Sequence, residues 1–176
     1  MKAVVLLCLM LFINPLYATG LFGLDLATAT QDQFRAAIKK AGAKPVNQAS
    51  AEQFYDTYQA DTLLQNAQQL YVGFVRQSRK FAFAEYELNG LRQLALLQKL
   101  QAKYGSGETI KGKYMTDYRY QWQSGEVVIV LYQDWAAYKT RLTYYIQDAL
   151  NTLKEELPDS GKSGHQQISG YLEQAY

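Results

Sequence analysis

The sequence predicts an α+β fold: a tandem αβββ repeat, its antiparallel sheet covered by helices on one face, with an extra C-terminal helix. Three observations predict it. Apolar residues recur at helical spacing in three short windows, each closed by Gly or Pro. Aromatic and β-branched runs of strand length lie between those windows. The runs are joined by short polar turns, and hairpin-length connections imply antiparallel pairing. Hydrophobic residues make up 48 % of the 176-residue chain and aromatics 14 %, enough to exclude a disordered chain.

Met1-Lys2 is a short positive start, and residues 3–13 form an unbroken apolar run. Asn14-Pro15 breaks it, and small residues follow at Ala18-Thr19-Gly20. This order predicts a signal peptide over 1–20, cut after Ala18 or Gly20, and a mature chain starting between Thr19 and Leu21. The run is too short to cross a bilayer, so the mature chain is not expected to span a membrane. Cys8, the one cysteine, lies inside the run behind Leu7 and would leave with the signal. No disulfide framework and no dependence on redox state follow.

Thr30 and Gln33 have capping-box spacing, and Phe34, Ala37, Ile38 and Ala41 share one helical face. The first helix is therefore placed at 31–41, ended by Gly42 and Pro45. Strands are expected at 54–59, 70–75 and 81–88, with a loop over 61–68 that contains a helical turn at Leu63-Leu64. Asn89-Gly90 then opens a second helix with Leu94, Leu97, Leu100 and Tyr104 on its apolar face and Gly105 at its end. A Gly-rich loop spans 105–116. Strands follow at 118–122, 127–132 and 141–145, the first two joined by the Gln123-Ser124-Gly125 turn. Ile146, Ala149, Leu150, Leu153 and Leu157 make a clean amphipathic stripe, so a third helix covers 146–157 and stops at Pro158. The chain thus divides into a single domain at 21–157, with halves near 31–88 and 89–146, and a flexible or lightly docked tail at 158–176.

Strand alternation assigns faces. Ala82, Ala84, Tyr86 and Leu88 suit a helix-covered face. Phe81, Phe83, Glu85 and Glu87 then point the other way. Tyr118, Tyr120 and Trp122 share a face, and Trp135 sits in the loop before 141–145. Three helices hardly cover both sides of a six-strand sheet. Phe81, Phe83, Tyr118, Tyr120, Trp122 and Trp135 are therefore the expected partner-binding set, aromatic residues being enriched at interfaces.

The chemistry-bearing residues are few. Lys plus Arg number 18 and Asp plus Glu 16, a net charge of +2 that makes no case for nucleic acid. The lone histidine, His165, stands in the tail, so no metal site, no catalytic triad and no cofactor is expected. Gly161-Lys162-Ser163 follows a helix and a proline, the wrong context for a phosphate loop. Glu85 and Glu87 share a strand face about 7 Å apart at Cα, but neighbours on one strand seldom straddle a groove as glycosidase acids do. No catalytic residues are assigned.

The repeated helix-plus-strands order over 31–157 behind a signal peptide resembles the β-lactamase-inhibitory protein and the small envelope lipoproteins of outer-membrane assembly. The inhibitory protein's cysteines and a lipid-bearing cysteine are both absent here. The resemblance implies a fold and no functional residues. Together these readings lead to the expectation of a periplasmic or secreted, non-enzymatic module that binds another envelope or secreted protein. A glycan or small ligand is the alternative, and a hydrolase using paired carboxylates the third.

Overall fold

The computed structural model describes residues 20–50, 54–90, 92–111 and 118–156. The expected signal peptide, except Gly20, lies outside the described residues, as does the whole tail with His165 and Gly161-Lys162-Ser163.

Two short strands, β1 (Gly20–Leu21) and β2 (Leu24–Asp25), form a hairpin of their own. Both turn residues, Phe22 and Gly23, have positive φ (56° and 78°), the handedness a two-residue hairpin favours. Helix α1 follows at Gln31–Lys40. The capping spacing of Thr30 and Gln33 is used: the Thr30 N–H donates to Gln33 Oε1 at 3.0 Å. Four strands come next, β3 (Pro45–Asn47), β4 (Tyr55–Gln59), β5 (Ala67–Phe74) and β6 (Phe81–Asn89). Helix α2 (Gln93–Tyr104) is again followed by four, β7 (Glu108–Lys111), β8 (Tyr118–Ser124), β9 (Val127–Asp134) and β10 (Lys139–Ile146), and α3 (Gln147–Glu155) is the last element among the described residues.

The class is α+β as the sequence indicates. The strand count is a correction: four strands, not three, follow each of the first two helices. The additional strands, β3 and β7, are the two edges of one eight-stranded antiparallel sheet of order β3-β4-β5-β6-β10-β9-β8-β7. Edge strands pair on one side only, and here they are 3 and 4 residues long and largely exposed, with Pro45 opening one of them. They therefore lack the apolar signature that marks inner strands.

Helices α1 and α2 share one face. Phe34 and Ile38 of α1 and Leu96, Leu97 and Leu100 of α2 pack with Leu70, Val72, Ala84, Tyr86, Leu88, Trp122, Ile129 and Leu131. The Phe34 ring stacks on Phe81 (5.4 Å between centroids) and meets Phe74 and Phe22 edge-on. Helix α3 lies on the opposite face, where Leu150 and Leu153 pack with Phe54, Phe83, Val128, Val130 and Tyr145. The expectation of helices on one face only is thus corrected. The α3 stripe is as strong as that of α1, and it covers the near end of the second face. Glu156 fixes its end by accepting the backbone N–H groups of Arg76 (2.6 Å) and Gln77 (3.3 Å).

Two aromatic rings depend on missing side chains. A Cβ at Gly73 would lie 2.1 Å from the Phe83 ring, and one at Gly107 2.6 Å from the Trp122 indole. Glycine at each position lets a large ring lie directly on backbone. The Trp122 Nε1–H also donates to the Gly105 carbonyl (2.9 Å). Trp122→Phe should therefore cost about 1–3 kcal/mol in denaturant unfolding, from lost ring area and one lost hydrogen bond.

Candidate functional site

On the face that α3 only partly covers, cross-strand register builds rows of side chains. One row runs Arg119, Tyr132, Arg141, Glu87, Gln69, Gln59 across β8, β9, β10, β6, β5 and β4. The next row toward α3 runs Gln121, Val130, Thr143, Glu85, Tyr71, Thr57. The face grades from apolar beneath α3 to charged at the far end.

Arg141 is the hub. Its Nη1 donates to Glu85 Oε1 at 2.7 Å, its Nη2 lies 3.0 Å from Glu87 Oε2, and its Nε lies 3.8 Å from Asp134 Oδ2. Thr143 donates its hydroxyl to Glu85 Oε2 (3.1 Å), and Lys139 donates to Glu87 Oε1. Glu85 has no exposed surface. Burial pushes its carboxyl above the usual range, against the opposing charge and hydrogen bonds of Arg141 and Thr143.

A cleft of about 670 Å³ opens over this network. The Gln59, Gln68 and Gln69 amides line it with Tyr55 and Tyr71, above Glu85, Glu87, Lys139 and Arg141. Val46 of the edge strand and Ala137 of the β9–β10 turn form parts of its wall. Tyr71 meets Tyr55 edge-on (5.6 Å) and donates its hydroxyl to Gln69 Oε1. Burial, then the Glu87 carboxylate, push the Tyr71 phenol up to about 12, so it stays a neutral donor at physiological pH. The volume falls in the ordinary range for ligand pockets. Among the described residues no cluster of three or more His, Cys, Asp or Glu could hold a metal ion, and no helix is long and apolar enough to cross a membrane.

The six aromatics expected on an open face are scattered. Phe81, at 1 % exposure, stacks in the α1 core. The reason is a bulge: Gly73 faces Phe83 and Phe74 faces Phe81, so Ala82 has no partner on β5 and the alternation slips by one. Phe83 is fully buried beneath α3, and Trp122 (4 %) is buried beneath α2, with Tyr120 partly buried beside it. Only Tyr118 (37 %) and Trp135 (48 %) are exposed. The expectation of one open aromatic face is corrected accordingly. Those two lie near the exposed Leu94 and Tyr138, at the end where Gly90 bonds the Tyr138 carbonyl and Gln93 bonds that of Tyr118. Leu94, expected on the buried face of the second helix, is exposed, and Leu96 takes its place.

Sequence reasoning placed Glu85 and Glu87 on one face, and missed Lys139, Arg141, Gln69 and Tyr71. A signal was present. Glu85-x-Glu87 on one strand and Lys139-x-Arg141 on another are complementary alternations, readable only once β6 and β10 are known to pair.

The fold and site define an α+β chain with an eight-stranded antiparallel sheet and a polar cleft on its half-covered face. No family model matches the chain, and no curated protein does. A solved structure to which it is similar is that of a DUF4309 family protein (YjgB) from Bacillus subtilis, at 13 % identity and a TM-score of 0.44, covering 70 % of this chain and 82 % of that one. A likeness of that degree assigns no function.

Proposed function

We propose that the chain is an exported, non-enzymatic binding protein, periplasmic or secreted, that takes a small polar ligand such as a glycan in the Gln59–Gln69–Tyr71 cleft. The cleft itself carries this reading. Its charges are engaged with one another, and amides and a phenol stand beside them in its lining. Uncharged hydrogen-bonding groups beside tyrosine rings suit a hydroxyl-rich ligand. Glu85 and Glu87 are both bound to Arg141 along one strand, which supports a structural rather than a catalytic role. Export rests on the order of charge, apolar run and small residues in 1–20. The element order, a helix and four strands given twice, supports reading the sheet as two related halves that meet at β6 and β10.

The test is a glycan array followed by calorimetry on the best binder. Gln69→Ala and Tyr71→Phe should each weaken binding about tenfold, the effect of a lost hydrogen bond to a ligand. Unchanged affinity in both would remove the cleft as the seat. A second reading, a protein partner, is favoured by the exposure of Trp135, Tyr138, Leu94 and Tyr118. A single stoichiometric protein from envelope extracts, lost with Trp135→Ala, would support that reading instead.

A further inference from the structure

We infer that the ligand of the cleft is an acidic saccharide whose anionic group is held by Lys139, which rests on the cleft reading and names its class of sugar. Among the described residues four charged side chains line the cleft, Glu85, Glu87, Lys139 and Arg141. Three are nearly closed to water, with side-chain exposures of 1 % for Glu85, 8 % for Glu87 and 7 % for Arg141. Lys139 keeps 30 %. It is the charge in the lining that a ligand can reach.

Hydrogen bonds give the sign of the ligand. Each of the four carboxylate oxygens in the lining already has a donor: Arg141 and Thr143 on Glu85, Lys139 and Arg141 on Glu87. An incoming cation finds no carboxylate oxygen without a partner. Donors, by contrast, are in surplus. An ammonium carries three N–H groups, and among the described residues Lys139 bonds only Glu87. Gln69 receives the Tyr71 hydroxyl on its Oε1, which leaves the two N–H groups of its amide for a ligand. The two sets of donors are close. Gln69 stands directly opposite Glu87, about 5 Å away at Cα by strand spacing, and the Lys139 ammonium is drawn to that same Glu87 carboxylate. One sugar can therefore meet both. Formal charge raises no barrier, because two carboxylates and two cations cancel in the lining. Asp134, the third carboxylate near Arg141, lies on β9, beyond β10, and does not line the cleft. An oxyanion on Lys139 gains a charge-assisted bond, roughly twice as strong as one from a neutral hydroxyl. A lysine ammonium acts as a point charge and demands no planar fork, so a uronate carboxylate and a sulfate ester both supply the chemistry.

The experiment scores the glycan array by charge, then takes matched pairs to calorimetry: the best-bound uronide against its methyl ester, and the best-bound sulfated glycan against its desulfated form. The parent should bind the acid of one pair about tenfold or more tighter than its uncharged counterpart. Preference in the first pair assigns a carboxylate, and preference in the second a sulfate. Lys139→Gln should bring that ratio close to one, and Lys139→Arg, which keeps the charge, should preserve most of it. The parent's ratio needs no variant, so the test survives a Lys139→Gln chain that does not fold. Binders that are all neutral, a ratio near one in the parent, or a ratio that Lys139→Gln leaves intact would each overturn the proposal. In those cases the cleft reading still stands if Gln69→Ala weakens binding of the neutral glycan. An array without any binder overturns both.

Discussion

Asp56→Ala is expected to remove about 3 kcal/mol or more of stability, a large part of the 5–15 kcal/mol typical of a domain this size. Asp56 is fully buried on the helix face of β4 and is the centre of a clip. Arg35 of α1 grips it twice, Nε to Oδ2 and Nη2 to Oδ1, both at 2.8 Å. The Ala49 N–H (2.7 Å) and the Tyr58 hydroxyl (2.9 Å) complete it. One carboxylate therefore fastens the helix, the loop after β3 and its own strand. Alanine would leave the Tyr58 hydroxyl and the Ala49 N–H unanswered in the interior, while Arg35, 26 % exposed at its side chain, could turn to water. Arg35→Ala should cost as much, because it strands the buried charge instead.

The same clip predicts a pH dependence. Burial works to raise the Asp56 carboxyl, but the Arg35, Ala49 and Tyr58 hydrogen bonds outweigh it and hold the group below the ordinary aspartate value. A carboxyl with a depressed folded-state pKa stabilises fully above its unfolded value and loses that contribution as pH falls through the folded one. Urea unfolding of the parent should weaken on acidification below about pH 4, and the Asp56→Ala variant should show a shallower decline. Equal slopes would mean that other carboxylates dominate the acid limb.

The elements with local signatures were legible. Thr30 and Gln33 marked the start of α1, Gly125 the β8–β9 turn, and the Leu150/Leu153 stripe marked α3. What failed was non-local. β3 and β7 are too short to register, yet they set the width of the sheet. The bulge at Ala82 reverses Phe81, which joins the α1 face, and Ala82, which joins Phe83 on the α3 face, while Ala84, Tyr86 and Leu88 keep the face that alternation gives them. The candidate site was half visible, as two glutamates on one strand. Their partners arrive from β10, more than fifty residues later, through a pairing that no local pattern announces. The aromatics drew attention because they suit interfaces, but the same rings fill a core just as well. The two glycines beneath Phe83 and Trp122 were the available sign of the latter.

Arg141→Met should be the most damaging change on the cleft side, at about 3–5 kcal/mol near neutral pH. The substitution keeps the length of the aliphatic stem, so the loss reports charge rather than volume. Glu85 would keep only the Thr143 hydroxyl, and Glu87 only Lys139. Glu85 is the expensive partner because it has no exposed surface, whereas Lys139 and Glu87 have some contact with water. Its folded-state pKa already lies above the ordinary value, so its contribution is present at low pH and is lost as pH rises through the folded value. Without Arg141 that pKa rises further, and the carboxyl takes a proton rather than remain a stranded anion. The deficit of Arg141→Met against the parent should therefore shrink as pH is lowered from about 8 to about 5. Glu85→Gln combined with Arg141→Met should recover most of the loss at neutral pH, because a neutral amide beside Thr143 leaves no buried charge uncompensated. A deficit that stays constant with pH, or a double variant no better than the single, would place the cost in packing around Tyr132 and free Glu85 of the role given to it.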